Sequence, residues 1–107
     1  MRRDPRSEPY EVTQFVEEVG ERIRLMRAAR GMTQADLAAR ADISRPTLSA
    51  IEAGALSSRF ADIARLLWAL DDVSLQTSLA SAAQDPAYQD ASRMHIPYAK
   101  RRQSTLK

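Results

Sequence analysis

Residues 33–54 read TQADLAARADISRPTLSAIEAG, and their simplest reading is two short helices joined by a tight turn. Thr33 is a good N-cap, and Asp36 adds negative charge near the positive end of the helix that follows. Leu37, Ala38 and Ala41 supply that helix with a buried stripe, and Asp42 and Ile43 make the turn. Ser44 caps the next helix, with Pro46 in its first turn, where a missing N–H costs little. Leu48 and Ile51, three apart, face inward, and Gly54 ends the helix.

The pattern extends outward on both sides. Over residues 11–30, Val12, Phe15, Val16, Val19, Ile23 and Met26 follow helical spacing, with Gly20 as a local weak point and Gly31 as the terminator. Residues 55–58 form a short loop. Over residues 59–70, Phe60, Ile63, Leu66, Leu67 and Leu70 share one helical face, and Asp71 and Asp72 disfavour the C-terminal end. Then the period changes. Val73, Leu75, Thr77 and Leu79 alternate with Ser74, Gln76, Ser78 and Ala80, which predicts a strand, the alternative being a fifth helix. The implied organisation is a flexible arm at 1–9, a domain at 10–80 and a flexible basic tail at 81–107.

Length and composition narrow the function. A chain of 107 residues holds one domain with a modest core. No apolar run approaches the roughly 18 residues of a membrane span, and the charged start MRRDPRSEPYEV has no apolar segment of the secretory kind. Without cysteine there is no disulfide or thiolate chemistry, and a cytoplasmic location is expected. The single histidine, His95, cannot build a multi-histidine metal site. No Gly-rich phosphate loop, metal-ligand spacing or catalytic constellation is present, so neither an enzyme nor a cofactor or metal is expected.

The net charge of +2 is small, and its distribution is more informative. Residues 33–80 hold Arg40, Arg45, Arg59 and Arg65 against six acids. The positive excess lies at the ends, in Arg2, Arg3 and Arg6, then Arg93, Lys100, Arg101, Arg102 and Lys107. Phosphate contacts by the central stretch would therefore fall to a few placed side chains, helix N-termini and backbone N–H groups.

A helix that reads DNA exposes short or planar polar groups near its N-terminus. Ser44, Arg45, Pro46 and Thr47 stand there, with the small Ser49 and Ala50 one turn later. Arg45 can donate twice to a guanine edge, Pro46 offers only apolar contact, and Thr47 suits either a phosphate or a thymine methyl. Thr33, Gln34 and Ser49 are the candidate phosphate contacts, Gln34 at a helix N-terminus that favours an anion. On spacing alone a plain helical hairpin with solvated faces remains open.

The matches Ile23, Met26-Arg27, Gly31-Met32-Thr33-Gln34, Leu37-Ala38, Ile43-Ser44, Thr47-Leu48-Ser49 and Ile51-Glu52-Ala53-Gly54 resemble the Cro/CI-type, or XRE, helix-turn-helix family, over roughly residues 19–71. The resemblance implies a compact all-α, four-helix, lambda-repressor-like domain that binds operator DNA. It implies phosphate contact by Gln34, base contact by Ser44, Arg45 and Pro46, and a structural ion pair between Arg27 and Glu52. Two positions depart from the family pattern. Asp42 replaces a usual glycine in the turn, and Pro46 stands where Gln or Asn is common, which puts an adenine contact there in doubt.

A lone strand at 73–79 would need a partner, most simply the same strand of a second subunit across a two-fold axis. Trp68, off the main stripe of its helix, then has a place in the core, in a dimer seam or against another protein. The segment LLWALDDVSLQTSLA is similar to HipB-type antitoxins, which implies a homodimer that represses its own operon and holds a HipA-like Ser/Thr kinase toxin. The alternatives are a free-standing XRE-family regulator and an adaptor that has lost DNA binding. The basic tail is open to docking on a toxin, to tracking DNA or to simple solvation.

Overall fold

The computed structural model describes residues 7–94. Among them are six helices and no strand: α1 (Tyr10–Ala29), α2 (Gln34–Ala41), α3 (Arg45–Glu52), α4 (Phe60–Ala69), α5 (Ser74–Ala82) and α6 (Pro86–Met94). The chain divides into two units at the Asp72–Val73 bond.

In the first unit, α2 packs on both α3 and α4, and α1 packs on α3. The core is Ile23 from α1, Leu37, Ala38 and Ala41 from α2, Leu48 and Ile51 from α3, and Leu66, Leu67 and Leu70 at the end of α4. Each fully buried leucine or isoleucine contributes roughly 1.5–3 kcal/mol. The core takes only part of the apolar stripe of α1. Ile23 is inside, while Val12 and Phe15, two turns or more earlier, are exposed. Phe60 and Trp68 are also exposed, at 73% and 70%, so Trp68 is not a core residue.

Gly20 is more than a weak point in α1. A Cβ there would lie 2.2 Å from the Ile51 carbonyl oxygen and 3.2 Å from that of Glu52. The missing side chain lets the backbone of α1 lie directly on the C-terminal turn of α3, which offsets the helix penalty of glycine.

Four helices in succession end in one way. A residue with positive φ follows each of α1 to α4: Gly31 (65°), Asp42 (57°), Gly54 (81°) and Asp71 (55°). The next N–H then reaches back to the last turn: Met32 to Arg27 O, Ile43 to Ala38 O, Ala55 to Ala50 O and Asp72 to Leu67 O, at 2.9–3.1 Å. This is the Schellman closure. Asp42 takes the left-handed place with a short side chain that tolerates it.

At the far end of the unit, Arg22 Nε and Nη2 donate to Asp72 Oδ2 and Oδ1 at 2.6 and 3.1 Å. The Asp72 side chain is 3% exposed and that of Arg22 50%. This pair fastens α1 to the chain leaving α4.

In the second unit the expected strand is overturned. Leu75, Thr77 and Leu79 lie within α5, and Val73 caps its start, with Thr77 N–H donating to Val73 O at 2.9 Å. The alternating pattern is equally a helical one, because Leu75 and Leu79 are four apart. Leu, Gln and Ala are good helix formers, and within α5 only Thr77 is β-branched. Helix α6 follows with Pro86 in its first position, where a missing N–H is harmless. Asp85 just before it accepts from Ala87 N–H at 2.9 Å. Arg2, Arg3, Arg6, His95 and the basic cluster from Lys100 to Lys107 lie outside the described residues.

Candidate nucleic-acid interface

The candidate interface consists of two capped helices and the turn between them. Thr33 Oγ1 accepts from Asp36 N–H at 3.0 Å, and Thr33 N–H donates to Asp36 Oδ2 at 3.0 Å. This reciprocal box satisfies two of the donors that open α2. The Thr33 backbone N–H holds the Asp36 carboxyl below its usual pKa. Ser44 caps α3 in the same manner, accepting from Thr47 N–H at 3.2 Å, and its hydroxyl meets that of Thr47 at 2.7 Å. From α4, Arg65 Nη1 reaches the Asp42 carbonyl at 3.4 Å and so braces the turn.

These contacts set α3 with Leu48 and Ile51 inward and Ser44, Arg45, Pro46, Ser49 and Ala50 outward. The Arg45 guanidinium and the Ser49 hydroxyl have no partner among the described residues. Ser44 and Thr47 are brought together, and each keeps spare hydrogen-bonding capacity beyond their shared contact. A cleft of about 270 Å³ runs beside this face, lined by Thr47 and Ala50 from α3 and by Ser57, Ser58, Arg59 and Asp62 beyond it. In the sequence Arg59 enters only the charge balance of residues 33–80 and is not read as a site residue. The signal was a basic residue directly after Ser57-Ser58, at the mouth of a helix.

Behind this face is a buried polar cluster. Arg27 Nε donates to Glu52 Oε2 at 2.7 Å, and Nη2 to Glu52 Oε1 at 3.0 Å. The side chains are 17% and 4% exposed. Donating to the Glu52 carboxylate holds the Arg27 pKa above its usual value. Arg27 Nη1 also donates to Met32 O at 2.9 Å, which fixes the link between α1 and α2. Gln34, the first residue of α2, donates from Nε2 to Glu52 Oε1 at 3.0 Å. The expected phosphate contact and the structural pair are therefore one network, which spacing alone did not indicate.

Among the described residues no group of three or more His, Cys, Asp or Glu side chains could hold a metal ion. Nor is any helix among them long and apolar enough to cross a membrane. A family model described as a helix-turn-helix domain matches residues 18–71, just over half of the chain. No curated protein and no solved structure matches it.

Proposed function

The chain belongs to the helix-turn-helix domain family, whose membership implies DNA binding, and on that premise we propose that it is a sequence-specific transcriptional regulator of the Cro/CI type. It acts by occupying an operator. The observation that carries this reading is Arg45, an unpartnered guanidinium on the exposed first turn of α3, a helix whose opposite side is locked into the core. Arg45 reads a guanine through O6 and N7. Ser44, Pro46 and Thr47 shape the base contact beside it. Thr33, Gln34 and Ser49 hold phosphates, and Arg59 is placed to add a charge to them.

One subunit offers few contacts, so the working form is a homodimer with its two α3 helices about one DNA turn apart, roughly 34 Å. Residues 74–79 are helical and do not supply an intersubunit strand. The narrower reading, an antitoxin that represses its operon and binds a HipA-like kinase, relied partly on that strand. The free-standing regulator is therefore the reading we favour, and co-expression with a neighbouring kinase gene separates the two. A protein-interaction adaptor is the second reading, favoured by exposed Trp68 and by the six acids against four arginines of residues 33–80.

The deciding experiment is selection of duplexes from a randomised pool, followed by titration at rising salt. A regulator enriches one sequence and loses affinity steeply with salt. An adaptor enriches none at any salt.

A further inference from the structure

Glu52 is a strange neighbour for a phosphate contact. Its carboxylate lies 3.0 Å from the amide nitrogen of Gln34, the residue proposed above to meet the DNA backbone. An anion so placed would repel the phosphate unless something cancels it. Arg27 does so with two hydrogen bonds and an opposite charge, in a site that water barely reaches.

The chemistry of the contact also fixes the orientation of Gln34. A carboxylate only accepts, so the nitrogen of the Gln34 amide, not its oxygen, must face Glu52. One N–H is then spent on Glu52. The second N–H, on the same rigid planar group, has no partner among the described residues and is aimed by the first. Without Glu52 the amide could rotate freely, and either end could face outward.

We infer that Glu52 is a positioning residue for DNA binding: it aims the spare N–H of Gln34 at a phosphate, while Arg27 neutralises Glu52 so that this can happen without repulsion. The inference rests on the reading of Gln34 as a phosphate contact. It assigns the Arg27–Glu52 pair a role beyond joining α1 to α3. A carboxylate paired with Arg27 alone would serve the fold equally well. The third contact, to the first residue of α2, connects the pair to the DNA-facing side.

The test uses the full chain and the duplex that the wild type selects from a randomised pool. The variants Arg27→Met/Glu52→Gln and Arg27→Met/Glu52→Leu both lack the ion pair. Only the first keeps a carbonyl that can accept from Gln34. Gln34→Ala is then added to the wild type and to each double variant. It is expected to weaken binding roughly ten-fold or more, the usual worth of a hydrogen bond to a charged group, in the wild type and in R27M/E52Q. In R27M/E52L it should change nothing, because the amide is no longer aimed. Equal losses in both double variants would overturn the inference.

A second measurement needs neither DNA nor a substituted fold. In the free wild-type protein, hydrogen exchange followed by NMR should show one Nε2 proton of Gln34 protected and the other open. Two equally open protons would overturn the inference. The failures are distinguishable: if the wild type selects no duplex, the phosphate reading of Gln34 falls and takes the inference with it. If it binds but Gln34→Ala costs nothing in the wild type, the phosphate reading falls likewise; if Gln34→Ala weakens the wild type and both double variants equally, only the inference falls.

Discussion

Arg22 grips Asp72 through two hydrogen bonds across fifty residues of sequence, and the two sides of that grip differ in their access to water. The guanidinium is half exposed, whereas the carboxylate is almost wholly buried. Removing Asp72 leaves a cation that water can solvate. Removing Arg22 leaves a buried carboxylate without its guanidinium, the costlier situation. Arg22→Met is therefore expected to lower the melting temperature more than Asp72→Asn, and a pair of thermal melts decides the order.

Gly20→Ala should destabilise the protein, the reverse of what the substitution does in an open helix. An alanine there gains about 1 kcal/mol of helix propensity. Against this its Cβ would lie 2.2 Å from the backbone oxygen of Ile51, which no rotamer can relieve. Overpacking of this kind costs about 1–3 kcal/mol or more. Urea denaturation should show a lower midpoint with an unchanged slope.

Arg45→Ala tests the proposed base contact directly. Loss of a bidentate guanine contact is expected to weaken binding by about 1–3 kcal/mol and to relax preference at one base pair. Repeating the duplex selection with the variant shows whether a single position of the preferred sequence loses information. A uniform weakening at every position would instead make Arg45 a phosphate contact.

The capping box of α2 gives an acid-side signature. Because the Thr33 N–H holds the Asp36 pKa down, the ionised carboxylate favours the folded state. That stability is complete above the ordinary carboxylate range and is lost as the pH falls through the lowered value of the folded protein. Asp36→Asn removes the titration. The stability difference between wild type and variant should thus be largest near neutrality and shrink in acid, as read by denaturation at several pH values.

Asp42 and Asp71 hold left-handed positions that glycine fills at the equivalent ends of α1 and α3. Asp42→Gly is expected to stabilise by a few tenths of a kcal/mol to about 1 kcal/mol, since the strain of a Cβ at positive φ disappears. The gain is reduced by the weak contact of Asp42 with Arg65, a 3.8 Å pair between exposed side chains. Calorimetry of the single variant checks the sign.

Much of the first unit was legible in residues 11–72, because its signals are local. Caps at Thr33 and Ser44, terminators at Gly31 and Gly54, and the spacing of Leu37, Leu48, Ile51, Leu66 and Leu70 each act within a few residues. The turn at Asp42 and Ile43 was legible for the same reason. Contacts between distant helices were harder to read. Asp72 looked like a helix stopper and is the buried half of a pair with Arg22. Gly20 looked like a flaw, and its purpose appears only once α3 lies against it. At the site, the partnership of Arg27 with Glu52 came from a resemblance, and the third member, Gln34, came only from geometry. Residues 73–80 went wrong for a different reason. Eight residues of alternation hold too little information to tell a period of two from a pair of leucines four apart.

The four like-made closures after α1, α2, α3 and α4 also bear on how the first unit folds. Each turn is completed by bonds to the helix it ends, and within the first unit those after α1, α2 and α3 set the path of the chain into the next helix through contacts local in sequence. A chain whose contacts are mostly near neighbours in sequence folds fast, in the microsecond-to-millisecond range. Against that background the Arg22–Asp72 clasp, with fifty residues between its ends, closes late. Substitutions there should accelerate unfolding and leave the refolding rate almost unchanged.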